Sequence, residues 1–174
     1  MSIIIDGSAG VTTNSGAVYN GIASGTAVAS TSGTSITFSS IPSWVKRITV
    51  MFNGVSTSGT SNIQIQLGSG SPTTSGYLGS SIATTAAGNS AATSTTGFVL
   101  LSGAATYLLN GFGVFTNLTG NTWAGVVNTG QSDSARSQTT SASIPLAGVL
   151  DRVRITTVNG TDTFTAGSIN IMYE

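Results

Sequence analysis

The sequence predicts an all-β protein, an antiparallel sandwich or barrel, and three observations carry that prediction. The run "NIQIQL" (Asn62 to Leu67) alternates apolar and polar residues with a period of two, which no helix would show. Ser and Thr make up about a third of the chain, and 23 of its 174 residues are Gly. Thr fits a pleated surface through its branched Cβ, Ser and Gly supply turns, and the helix formers Glu, Lys, Gln and Leu are correspondingly scarce.

Taken in order, residues 1–34 form a separate piece: an apolar run at Ile3, Ile4 and Ile5, then a Gly/Ser/Thr/Ala-rich tract whose one aromatic is Tyr19. Such a tract reads as an extended arm or linker, and the compact domain is expected over residues 35–174. "SITFSSI" alternates Ile36 and Phe38 with small polar residues, and Pro42 marks a turn or strand start. "VKRITVMFNGV" sets Ile48, Val50 and Phe52 on one face, with Arg47, Thr49 and Met51 on the other. In "NIQIQL", Ile63, Ile65 and Leu67 are expected to face in, and Gln64 and Gln66 to face out.

"SPTTSG" is a turn cluster, "YLGSSIA" a strand, and "TTAAGNSAATSTTG" (Thr84 to Gly97) a low-complexity loop. Strands are expected again at "FVLL", "ATYLLNGFGVF", "TWAGVVN", "ASIPLAGV", "RVRITTV" and "TFTAGSINIMY". Asn159-Gly160 reads as a hairpin turn that pairs the last two of these antiparallel. Eight to ten short strands between Gly, Asn, Ser and Pro, about as many as a sandwich or barrel carries, complete the pattern.

Composition excludes several functions. Charged residues are 6% of the chain against roughly 25% in ordinary domains. The net charge is +0, and no charged side chain lies between Arg47 and Asp133, so no basic stripe can follow a phosphate backbone and no nucleic-acid partner is expected. A surface so poor in charge has little repulsion of its own, which suits coverage by partners in an assembly. No run approaches the roughly 18 apolar residues of a membrane span, so no membrane partner is expected. "MSIIIDGSAG" lacks the basic start and long apolar run of a signal peptide, so synthesis in a cytoplasm is expected.

Catalytic chemistry finds little to work with. His and Cys are both absent, which removes histidine-assisted nucleophiles, thiolates and the usual zinc and copper ligand sets. Asp6, Asp133, Asp151, Asp162 and Glu174 are scattered singly, whereas glycoside hydrolysis needs two facing carboxyl groups. "DGSAG" lacks the further carboxylates of a calcium loop, and "GSGSP" lacks the Lys and helix of a phosphate cradle. No enzyme, cofactor or metal is expected. Trp44 and Trp123, with Tyr77, Tyr107 and Tyr173, could form a sugar platform, but aromatics on sandwich strands are more often core or interface.

The basic residues are the remaining candidates. Lys46 and Arg47 stand where a strand begins, Arg152 and Arg154 share one face of another, and both pairs are expected on sandwich edges. There they either discourage edge-to-edge pairing or form ion pairs with a partner. With Ile3, Ile4, Ile5 and Tyr19, they make up the partner interface expected from the sequence.

The run "IPSWVKRITVMFNGVSTSGTSNIQIQLGSG" (Ile41 to Gly70), with "NLTGNTWAGVVNTG" and "PLAGVLDRVRITTVNGTDTFTAGSINIMYE", resembles a β-sandwich module of tailed-bacteriophage virion proteins, namely capsid decoration or cement proteins and tail-fibre-like proteins. The resemblance spans roughly Ser35 to Glu174. It implies a jelly-roll-like fold, assembly as a homotrimer, and a place on the virion, at the capsid surface. No extended shaft, heptads or large adaptor is expected from these 174 residues. Decoration, with the major capsid protein as partner, is therefore expected first. A short tail fibre or receptor-binding tip, contacting host glycan through aromatics and loops such as Thr84 to Thr96, is the alternative.

Overall fold

The computed structural model describes residues 3–6, 10–13, 21–105 and 107–174. Among these the chain forms only strands, all antiparallel. They are β1 (Ile3–Asp6), β2 (Gly10–Thr13), β3 (Ala23–Ser24), β4 (Val28–Ala29), β5 (Ser35–Phe38), β6 (Arg47–Thr57), β7 (Ile63–Ser69) and β8 (Ser71–Pro72), followed by β9 (Leu78–Thr85), β10 (Gly88–Ser94), β11 (Phe98–Leu100), β12 (Leu109–Thr119), β13 (Thr122–Gln131), β14 (Arg136–Pro145), β15 (Arg152–Thr157) and β16 (Phe164–Tyr173).

Two sheets pack into a sandwich. The larger has the order β10-β9-β14-β13-β12-β6-β16-β3, with β4 also on β16, and the smaller has the order β11-β7-β15-β5, with β8 on β7. A separate hairpin joins β1 to β2, pairing Ile3 with Thr13 and Ile5 with Val11. This order establishes the antiparallel sandwich; it does not by itself establish a jelly-roll path.

Period-two alternation decides which side chains meet between the sheets. Ile48, Val50 and Phe52 of β6 are buried as the spacing predicts, and so are Ile36 and Phe38 of β5 and Ile63, Ile65 and Leu67 of β7. They close on Phe115, Trp123, Val127, Val153, Ile155, Ile169 and Ile171 in one core. Each such side chain contributes about 1.5–3 kcal/mol on leaving water. Within the core, Tyr77, Phe98 and Phe115 stack edge to face, with centroids 5.7 and 4.7 Å apart.

Four strand expectations are corrected. Thr84 to Gly97 is mostly not a loop: β9 and β10 form a hairpin with Gly88 opposite Thr85 and Ser94 opposite Gly79. The strand expected at "ASIPLAGV" begins earlier, at Arg136, because Thr140 faces inward and donates to the Val99 carbonyl, so this polar stretch can be half-buried. Gln64 and Gln66 are buried, not exposed, because residues 95–97 pass over β7. The Gln66 amide donates to the Thr96 carbonyl, and Gln64 Oε1 accepts from the Thr96 hydroxyl.

The fourth correction concerns Asn159-Gly160. β15 pairs with β5 and β7, whereas β16 pairs with β6, so this turn carries the chain between sheets instead of closing a hairpin. Asn159 Oδ1 accepts from the Thr161 and Asp162 amides, and the Asp162 carboxylate accepts from the Ser61 amide. Those local bonds hold a turn that a two-strand ladder would otherwise hold.

Residues 21–34 run along the outside of β16. Gly25 and Ser30 donate backbone N–H groups to Ile171 and Gly167, and the fully buried Ser30 hydroxyl donates to the Ala166 carbonyl at 2.7 Å. The register of β6 slips near Gly54 and that of β16 near Gly167, both at positive φ (61° and 89°), where a bulge bends the sheet.

Candidate interaction surface

The residues singled out from the sequence do not converge. Ile3, Ile4 and Ile5 lie in β1 of the separate hairpin, and Tyr19 lies outside the described residues. Arg47 opens β6, an interior strand and not an edge, and its guanidinium pairs with Glu174 at 3.0 Å across to the end of β16. Beside it, Lys46 donates to Asn117 Oδ1 at 3.2 Å. Arg152 and Arg154 sit on β15, again an interior strand. The edge placement is thereby corrected: the strands that carry these cations are flanked on both sides, and the charges mark strand ends and a sheet face.

Their partners lie within the chain. Arg152 Nε donates to Asp151 at 2.8 Å, and this guanidinium, with help from the Gly70 N–H, holds the Asp151 carboxyl below its ordinary range. Arg154 Nε donates to Gln66 Oε1 at 2.9 Å. It lines a polar hollow of about 290 Å³ on the outside of the smaller sheet, with Gln64, Thr96 and Thr156.

Among the described side chains the other carboxylates are occupied likewise. Asp133 accepts the Leu108 N–H, Asp162 accepts from Ser61 and Asn159, and Glu174 pairs with Arg47. Among the described residues no three His, Cys, Asp or Glu side chains gather as a metal site would need. The aromatics divide: Tyr77 and Trp123 are buried in the core, while Trp44 is half exposed against Tyr173, ring centroids 6.0 Å apart.

The surface that does converge is the outer face of the larger sheet. Register aligns its outward side chains in rows: Met51, Phe112, Asn128, Thr139, Ile82 and Ala91 in one, Thr49, Val114, Val126, Ser141, Ser80 and Thr93 in the next. No member of either row is charged, and all but Thr139 and Ser141 come from the charge-free stretch between Arg47 and Asp133. Phe112 is 53% exposed and Ile82 46%, with Leu78 and Val126 also open to solvent.

This face is uneven. Phe112 and Val114 stand up on β12, whereas around β9 the small side chains of Ser80, Thr93 and Ser141 leave two adjoining hollows of about 700 and 630 Å³. All three residues line both hollows, so the two form one trough. Ile82 stands in its wall on one side and Leu78 on the other.

Sequence reasoning missed this surface, although one signal for it was present. In "LNGFGVF" the outward set Phe112 and Val114 is as apolar as the inward set Leu109 and Phe115, and a strand apolar on both faces is a strand expected to be covered on both. No family model, no curated protein and no solved structure matches this chain, so its surfaces have to be interpreted from their own chemistry.

Proposed function

We propose that this chain is a structural protein of a bacteriophage virion, a decoration or cement protein that binds the assembled shell as a trimer and stabilises it. The observation that carries the reading is the outer face of the larger sheet, six strands wide, free of charge in both of its central rows and bearing exposed Phe112, Ile82, Leu78 and Val126. A face of that extent without charge, with exposed apolar side chains set among hydroxyls and one amide, suits coverage by a partner. The engaged state of Asp133, Asp151, Asp162 and Glu174 supports an architectural role over a catalytic one.

The mechanism is mass action. A protein that binds the closed shell and not its dissociated subunits stabilises the closed state by RT ln(1 + [L]/Kd) for each site, and linking three copies multiplies weak contacts through effective concentration. The partner is the major shell protein. The test adds the purified chain to particles that lack it and follows sedimentation and the temperature of genome release. Co-sedimentation with a raised release temperature is expected; no binding would sink the reading.

A receptor-binding tip that contacts host glycan is the second reading, favoured by Trp44, which is 44% exposed and tilted against Tyr173. An exposed aromatic face is what a sugar ring stacks on. Glycan-array binding that Trp44→Ala abolishes would select this reading over the first.

A further inference from the structure

We infer that the polar hollow over β7 and β15 binds a small carboxylate of the size and polarity of a uronic acid, with Arg154 taking the carboxylate. The hollow lies on the opposite side of the sandwich from the outer face of the larger sheet, and it shares no residue with the contact between Trp44 and Tyr173. The site therefore rests on neither reading given above.

Register builds its floor. Arg154 stands opposite Gln66 and Thr156 opposite Gln64 in the ladder between β15 and β7, and all four side chains point away from the core. Gln64, Gln66 and Thr156 are at most 6% exposed, and polar groups at that depth need partners. They have them: Gln64 Oε1 accepts from the Thr96 hydroxyl, the Gln66 amide donates to the Thr96 carbonyl, and the Thr156 hydroxyl donates to the Thr34 carbonyl. The floor is held in place without a ligand, so little ordering is left to oppose binding.

Arg154 is the group left unmatched. Its Nε and Nη2 donate to Gln66 Oε1, which fixes the guanidinium, while Nη1 has no acceptor among the described residues. Gln66 is neutral and leaves the charge uncompensated. The ion pairs among the described residues are Arg47 with Glu174 and Arg152 with Asp151, and neither reaches Arg154. A half-buried cation locked by an amide, with no carboxylate beside it, is poised for an anion. The free edge of a guanidinium matches the two oxygens of a carboxylate, and such charge-assisted bonds are the strong ones. One cation balances one negative charge, which favours a carboxylate over a phosphate dianion.

Volume and rim describe the rest of the ligand. The hollow measures about 290 Å³, near the lower end of ligand pockets at roughly 300 Å³, so it admits a molecule of one ring. Exposed hydroxyls of Thr34, Ser35 and Thr74 line its mouth, and each can both donate and accept. No aromatic side chain is among the lining residues, so an aromatic acid would find nothing to stack on, whereas a hydroxylated acid finds partners all round.

The test titrates the isotope-labelled full chain with D-glucuronate, following the side-chain amides of Gln64 and Gln66 and the Arg154 Nε–H by NMR. Parallel titrations use D-glucose, which lacks the charge, and acetate, which lacks the hydroxyls. Saturable shifts with glucuronate are expected, with a dissociation constant on the order of millimolar for so small a ligand. Glucose should give none, and acetate should bind more weakly. Arg154→Gln is expected to weaken glucuronate about tenfold or more, read at Gln64 and Gln66. Arg152→Gln, at a cation already paired with Asp151, should leave binding unchanged.

No saturation in the wild type would overturn the inference, and this arm depends on no variant folding. Equal shifts with glucose would remove the role of the charge, and acetate binding as tightly as glucuronate would remove the uronic acid. Undiminished binding in Arg154→Gln, or an equal loss in Arg152→Gln, would overturn the assignment to Arg154.

Discussion

The hydroxyl of Tyr77 lies against the backbone of Leu67, accepting its N–H at 2.8 Å and donating to its carbonyl at 3.3 Å. β11 covers β7 only as far as Ile65, and Tyr77 supplies beyond that point the hydrogen bonds a neighbouring strand would have made. Its ring packs on Phe98, so one side chain completes both the ladder and the core.

Tyr77→Phe keeps the ring and orphans a buried N–H, which costs about 1–3 kcal/mol of stability at neutral pH. Burial also pushes the phenol well above its ordinary value of 10.0. A raised value means that the folded state favours the protonated phenol, so this contribution is complete below pH 10 and is lost as pH rises through the folded-state value. Denaturant titrations of the wild type from pH 8 to 12 should show alkaline destabilisation that Tyr77→Phe lacks. Parallel profiles for the two proteins would refute the assignment.

Gly167→Ala tests the bulge. Its φ of 89° is a conformation that L side chains rarely adopt, and a Cβ there would collide with the Gly54 and Asn53 carbonyls of the neighbouring strand. Combined strain and overpacking predict a loss of about 1–3 kcal/mol in equilibrium unfolding. Gly120→Ala, also at positive φ but with open space around it, should cost less.

The basic residues give the opposite expectation. Arg47 and Glu174 form an exposed pair, and pairs of this kind are worth about 0–1 kcal/mol. Lys46→Ala with Arg47→Ala should therefore leave stability in denaturant titration close to wild type. A loss well beyond about 1 kcal/mol would mean that these strand ends carry more than an exposed ion pair.

Asp151 contributes on the acid side. Arg152 and the Gly70 N–H lower its pKa in the folded state, so the carboxylate contributes stability above its ordinary 3.8 that is lost as pH falls through the lowered value. Asp151→Asn should be less stable than wild type at pH 6, and the difference should shrink towards pH 2. Chemical denaturation at the two values checks the sign, and a gap that widens in acid would refute it.

Much of the sandwich was legible because its inward residues are large and apolar on a period of two. Ile48, Val50 and Phe52 announce β6, and Ile63, Ile65 and Leu67 announce β7. β10 and the first half of β14 were not legible, since Ser, Thr, Ala and Gly in those strands are also what a loop would contain. Thr140 can face the core only because Val99 offers it a carbonyl, and that partner is 41 residues away. Pairing partners are equally non-local: nothing near Asn159 in the chain says that β15 and β16 belong to different sheets.

For the candidate surface the difficulty was similar. Charge is easy to see in a sequence, so Lys46, Arg47, Arg152 and Arg154 stood out, yet three of the four are engaged by Asn117, Glu174 or Asp151 and the fourth by Gln66. The outer face emerged only when register placed Phe112, Val126 and Ile82, from three different strands, within two adjacent rows.

The measurement that tests the central claim most directly is the copy number of this chain in purified virions, by quantitative mass spectrometry against the major shell protein. A decoration role predicts a number comparable with that of the shell subunits and divisible into trimers. Absence from purified virions would contradict the account, and a few copies per particle would move the chain from the shell to the tail.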